Sequence, residues 1–283
     1  MSESRHVDLK ALENTPPWEW PKDAGSVIVE TLVDRSAPES ERVVAAELGG
    51  EYVISSDRMS EALLEIVRDN GESAEMRSRA AISLGPALEE ADTGDYEDPI
   101  DPPSISEAVF RKVKETLRTA FYDANVPKAA RRSILEASVR SPQPWHAREI
   151  RQAYAGDDEE WRLTAVFCMR FVKGFENEIL ESLHSKNRLI KYHAVQAAGA
   201  WEIDDAWPEI ARLVKSPGTK KDLLLVAMEA ASAIRPDETD IYEELFDSDD
   251  KDIAEAAFEA ASGSMMDAGE DFEDDDLEEE EED

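Results

Sequence analysis

The residues of this 283-residue chain best equipped for chemistry fall into three sets. His184 and His193, the second beside Tyr192, carry side chains suited to a pH-sensitive or metal-binding pair, or else they are satisfied packing and surface histidines. Trp145, His146, Arg148, Arg151, Arg170, Lys173 and Lys191 mix aromatic and cationic groups, the chemistry that holds an acidic peptide or a phosphate. Arg42, Arg77, Arg162 and Lys191 each stand three positions before an alanine. They either present a row of cations to a ligand or pair with carboxylates and helix-end carbonyls between layers. These sets yield no catalytic constellation, no metal-ligand set and no cofactor motif. Cys168, the single cysteine, excludes an intramolecular disulfide and a cysteine-based zinc cage and is read as a buried apolar residue.

What must position these residues is a repeat. Arg42-Val-Val-Ala45, Arg77-Ser-Arg-Ala80, Arg162-Leu-Thr-Ala165, Lys191-Tyr-His-Ala194, Leu224-Leu-Val-Ala227 and Ala254-Glu-Ala-Ala257 continue into further small and apolar residues, and a weaker copy surrounds Ser133. The anchors Ala45, Ala80, Ser133, Ala165, Ala194, Ala227 and Ala257 lie 35, 53, 32, 29, 33 and 30 residues apart. Each copy reads as an upstream amphipathic helix, such as Met59–Val67, followed by a downstream helix whose alanines let neighbours approach closely. Ser104 to Glu107, Asp157 to Glu160 and Thr219 to Asp222 have the form of capping boxes, and Pro208 fits a first helical turn.

This pattern resembles the HEAT family, and within it the bacterial HEAT-like repeats of the phycobilisome-lyase type. There a capping residue precedes an apolar residue, then Arg or Lys, then Ala. Ser73 with Arg77, Asp158 with Arg162 and Asn187 with Lys191 match that order, whereas Pro38, Ala130, Leu224 and Ala254 depart from it. The resemblance implies an all-α fold, a right-handed α-α superhelix of about seven helical hairpins. Its expected organisation is an N-terminal cap segment at 1–24, repeats at 25–90, an acidic proline-rich loop leaving the stack at 91–104, further repeats at 105–266 and a disordered acidic tail at 267–283. In the cap, Trp18-Glu-Trp20-Pro21 covers apolar surface of the first repeat or else forms a partner-binding motif, while Trp161 and Trp201 are read as packing residues. Deoxyhypusine hydroxylases of this architecture hold two irons with His-Glu dipeptides; here the four histidines are followed by Val7, Ala147, Ser185 and Ala194.

The net charge of −35 is unevenly spread. Residues 1–110 and 194–283 carry nets of −16 and −24, whereas residues 111–193 carry +5. So negative a field opposes nucleic acid and anionic lipid, since both are held by neutralising phosphates with cations. The acidic tail, with 13 acidic residues in 17, could transiently cover the basic middle, and a comparable acidic excess also occurs in proteins adapted to high salt. Short apolar runs and a start without signal-peptide character lead to the expectation of a cytoplasmic protein without a membrane partner. The functional expectation is a non-enzymatic scaffold binding another protein on the concave face, without cofactor. Its alternative is a lyase-related enzyme or accessory protein that binds a small molecule or chromophore.

Overall fold

The structure, a computed structural model, describes residues 7–51 and 56–267. It divides into two compact units, Met1–Val172 and Lys173–Asp283. Among the described residues every regular element is helical.

The first unit opens with the short α1 (Leu9–Leu12) and a 3-10 turn at Pro17–Glu19, then runs through α2 (Ala24–Val33), α3 (Glu39–Leu48), α4 (Asp57–Arg68), α5 (Ala74–Ser83) and α6 (Gly85–Thr93). It continues with α7 (Glu107–Tyr122), α8 (Lys128–Ser138), α9 (Pro144–Ala155) and α10 (Glu159–Cys168). Two layers result. The upstream helices α2, α4 and α7 stack in order, as do the downstream helices α3, α5, α8 and α10. The second unit repeats the plan with α11 (Glu176–Ser182), α12 (Arg188–Ala200), α13 (Trp207–Lys215) and α14 (Lys221–Ile234), then a 3-10 segment at Thr239–Leu245 and α15 (Lys251–Asp267). Its downstream layer is α12, α14 and α15.

Apolar faces explain the layering. In α4, Met59, Leu63, Leu64, Ile66 and Val67 are buried while the charged residues turn outward, the spacing of an amphipathic helix. The repeat anchors Ala45, Ala80, Ala165, Ala194, Ala227 and Ala257 have no exposed surface at all. Where small residues meet, backbones come close: a Cβ built on Gly199 would lie 2.8 Å from the Ala230 Cα. Helix propensity alone makes Gly199→Ala stabilising by up to about 1 kcal/mol. Overpacking against α14 reverses that, and we expect a loss of about 1–3 kcal/mol in chemical denaturation. A gain in stability would show that the two helices separate freely.

Several local readings of the sequence are corrected. The N-caps of α7 and α10 are Ser106 and Asp158 rather than Ser104 and Asp157: the Ser106 hydroxyl accepts from the Val109 N–H, and the Asp158 carboxylate accepts from the N–H groups of Glu160 and Trp161. Thr219 does not cap α14, because its hydroxyl donates backward to the Leu213 carbonyl at 2.7 Å. The acidic segment 91–104 begins inside a helix, and only residues 94–104 form an irregular, largely exposed loop. Its first residues complete α6, which packs on α7 and α8, and the Glu90 carboxylate accepts from both the backbone N–H and the hydroxyl of Ser104. Trp18 covers little, being 79% exposed, whereas the Trp20 indole donates to the Thr15 carbonyl at 2.8 Å. The acidic tail lies outside the described residues from 268 onward, and α15 includes Asp267.

The weak copy around Ser133 is out of register by one residue. Pro127 is the N-cap of α8, and the Arg131 N–H makes the first-turn bond to its carbonyl. The same bond is made by Arg42 to Pro38, Arg77 to Ser73, Arg162 to Asp158 and Lys191 to Asn187. Arg131, not Ala130, therefore occupies the basic repeat position, and the buried anchor three residues on is Ile134 rather than the half-buried Ser133.

Candidate functional site

The basic repeat position has a clear local task. A helix leaves its last carbonyls without intrahelical partners, and a side chain four residues beyond the next N-cap can reach back to them. Arg42 Nε donates to the Leu32 carbonyl at 3.0 Å, Arg77 Nε to the Val67 carbonyl at 3.0 Å, and Arg162 Nε to the Tyr154 carbonyl at 3.3 Å. The remaining nitrogens are also used. Arg42 forks onto both Glu72 carboxylate oxygens at 2.9 and 2.7 Å, Arg77 donates to the Asn70 side-chain carbonyl, and Arg162 donates to the Gly156 carbonyl. Lys191 approaches Glu209 at 3.6 Å.

Arg131 departs from this scheme. Among the described residues its side chain has no hydrogen-bond or ion-pair partner, and its Nε is sealed from solvent. It lines a cavity of 490 Å³ in the first unit, formed where the end of α7, the start of α8, α9 and the start of α10 converge. The aromatic wall consists of Phe121, Tyr122 and Trp161, with Phe121 and Trp161 edge to face at 6.2 Å and Phe121 and Tyr122 edge to face at 5.2 Å. Trp145 backs the wall, its ring 5.1 Å from that of Phe121.

Four other polar side chains of the cavity, Tyr122, Arg148, Glu149 and Asp158, are already engaged. Tyr122 donates its hydroxyl hydrogen to Glu149 at 3.0 Å and accepts from Arg148 at 2.8 Å. Burial and the Glu149 carboxylate push the Tyr122 phenol above its usual range, which keeps it a neutral donor. Asp158 is held by Lys128 at 2.5 Å in addition to its capping bonds, and the Lys128 ammonium keeps its carboxyl below the usual carboxylate range.

Of the seven residues read as a partner-binding surface, Trp145, His146, Arg148, Arg151 and Arg170 lie in the first unit and Lys173 and Lys191 in the second. Trp145 and Arg148 stand at the cavity, and Arg151 is exposed on the same helix. His146 is withdrawn from any surface: it is completely buried, its Nδ1 accepts from the Gln143 N–H at 2.9 Å, and its Nε2 lies 3.0 Å from the Ser138 hydroxyl. Arg170 lies over the Phe171 ring, and Lys173 lies over Trp201 in the second unit. The basic middle is not a free cationic field either, because many of its charges meet acids: Lys112 with Glu61, Lys114 with Asp92, Arg140 with Glu89 and Arg188 with Asp222. His193 Nδ1 is 3.0 Å from the Gln196 side-chain oxygen, and His184 is exposed. Among the described residues no group of three or more His, Cys, Asp or Glu side chains is arranged to hold a metal ion.

Sequence reasoning missed Arg131 and Phe121. The available signal was the Arg131-Arg132 pair four residues after Pro127, which mirrors Arg42 four residues after Pro38.

Fold and site together define an all-α, HEAT-like solenoid whose first unit carries an aromatic-walled cavity. The chain is similar to the solved structure of human deoxyhypusine hydroxylase in complex with glycerol, at 16% identity and a TM-score of 0.40, over 86% of this chain and 96% of that one. No family model and no curated protein matches the sequence. The expectation of a non-enzymatic protein-binding scaffold is not upheld: the solved structure that the chain is similar to is that of a hydroxylase. Among the described residues no helix is long and apolar enough to cross a membrane.

Proposed function

We propose that this chain is an enzyme, or an accessory to one, that acts on a small organic molecule held in the cavity between α7, α8, α9 and α10. The observation that carries this reading is the cavity itself: 490 Å³, within the range of small-molecule sites, with aromatic walls and a few convergent polar groups. Phe121 and Trp161 offer flat apolar surface, Tyr122 a neutral hydroxyl, and Arg131 a cation without a protein partner. The phycobilisome-lyase-type repeat pattern and a cytoplasmic setting belong to the same proposal.

The test begins with mass spectrometry on the full-length protein purified from its host, then a thermal-shift screen of aromatic metabolite-sized compounds. Ala153 lines the cavity, so Ala153→Trp fills part of it. A compound that co-purifies or binds is expected to lose roughly tenfold or more in affinity to the filled variant, about 1.4 kcal/mol. Equal binding to both proteins would place the ligand elsewhere and end this reading.

A further inference from the structure

We infer that Arg131 is the acid-binding residue of this cavity, and that the ligand is a flat, singly charged carboxylic acid. The inference rests on the cavity being a ligand site and adds the chemical class of what fills it.

The first support comes from the repeat. Five helices place a basic side chain four residues after the N-cap, and Arg42, Arg77, Arg162 and Lys191 each turn theirs to a carbonyl or carboxylate of the protein. Arg131 begins its helix with the same backbone bond and yet leaves its guanidinium without a partner among the described residues. A buried donor with no acceptor is costly, and native proteins satisfy nearly all such groups. The Nε is enclosed by the protein, whereas the two terminal nitrogens have no protein acceptor and keep accessible surface, so it is they that can meet an acceptor held in the cavity Arg131 lines.

The second support is that the neighbouring acids are occupied. Asp158 is taken up by Lys128 and two backbone N–H groups, and Glu149 by Arg148 and Tyr122. Neither bonds to Arg131, and both remain negative charges in the lining. Those two charges oppose a doubly charged phosphate more than a single carboxylate, and a guanidinium fork matches a carboxylate with two parallel hydrogen bonds. The Phe121, Tyr122 and Trp161 rings fix the rest of the molecule as flat and apolar, because aromatic walls favour ring stacking or edge contact.

The experiment uses the full chain with naphthoate, its neutral counterpart naphthamide and naphthyl phosphate, followed by calorimetry and tryptophan fluorescence. Wild type is expected to bind naphthoate about tenfold or more tightly than naphthamide, which is about 1.4 kcal/mol. Arg131→Gln is expected to hold the two within about twofold of each other, while Arg131→Lys keeps part of the preference through charge without the fork. Because Arg131 has no hydrogen-bond or ion-pair partner in the protein, the Gln variant should melt with wild type, which separates a lost preference from a lost fold. Equal affinity of wild type for acid and amide, or a preference for the phosphate, would overturn the inference while leaving the cavity a ligand site. Failure of all three probes to bind at millimolar concentration would overturn the cavity reading itself, and the inference with it.

Discussion

Arg42→Ala is expected to cost about 3–5 kcal/mol of unfolding free energy, the range for breaking a buried ion pair from one side. Both partners are nearly closed off from solvent, with 8% of the Arg42 side chain and 10% of the Glu72 side chain exposed. Truncation leaves the Glu72 carboxylate buried without its fork and the Leu32 carbonyl without its donor. Arg131→Ala, at the same repeat position, removes no hydrogen bond or ion pair of the protein and strands no partner, so it should cost about 1 kcal/mol or less. Urea titrations of the two variants decide the matter. Equal losses would mean that the position acts through something other than its bonds, and the special standing of Arg131 would disappear.

Acid should destabilise the first unit through one buried imidazole. Burial pulls His146 down to about 4, and the nearby Lys114 charge acts in the same direction. The hydrogen bonds fit a neutral ring, since Nδ1 accepts from the Gln143 N–H and protonating it would break that bond. In the unfolded chain the same group takes up its proton near 6.5. The folded pKa is therefore depressed, so the stability linked to it is fully present above pH 6.5 and is lost as pH falls toward 4. The separation corresponds to about 3 kcal/mol once the folded ring also protonates. Many carboxylates titrate over part of this window, so wild type is compared with His146→Gln in urea at pH 7 and at pH 4.5. The variant should show a shallower fall by about 2–3 kcal/mol. Parallel curves would remove His146 from the account.

The hairpins were legible in the sequence because small anchors recur at positions with no room for larger side chains, and Ala45, Ala80, Ala165, Ala194, Ala227 and Ala257 are all fully buried. The third hairpin hid its register because its anchor is Ile134, a large residue, so alignment on small side chains chose Ser133 and set Ala130 where Arg131 belongs. The long gap before it holds α6, a helix without a counterpart in the other repeats among the described residues, and the irregular segment 94–106. The cavity escaped notice for a different reason. Phe121 ends one helix and Trp161 begins another, 40 residues apart in sequence, and only the packing of α7, α9 and α10 makes them neighbours. Composition placed His146 among cations and aromatics, while the Ser138 hydroxyl eight residues earlier, which receives it in the interior, carried no visible sign of that role.

The arginine that turns back to the preceding helix also bears on the order of folding. Arg42 reaches Leu32 and Arg77 reaches Val67 across only ten residues, and Arg162 reaches Tyr154 across eight. Loops of that size close in tens of nanoseconds, long before distant segments of a chain find each other. Each such hairpin can therefore draw its two helices together from local sequence alone, and the stacking of one hairpin on the next follows as a later step between partly formed neighbours.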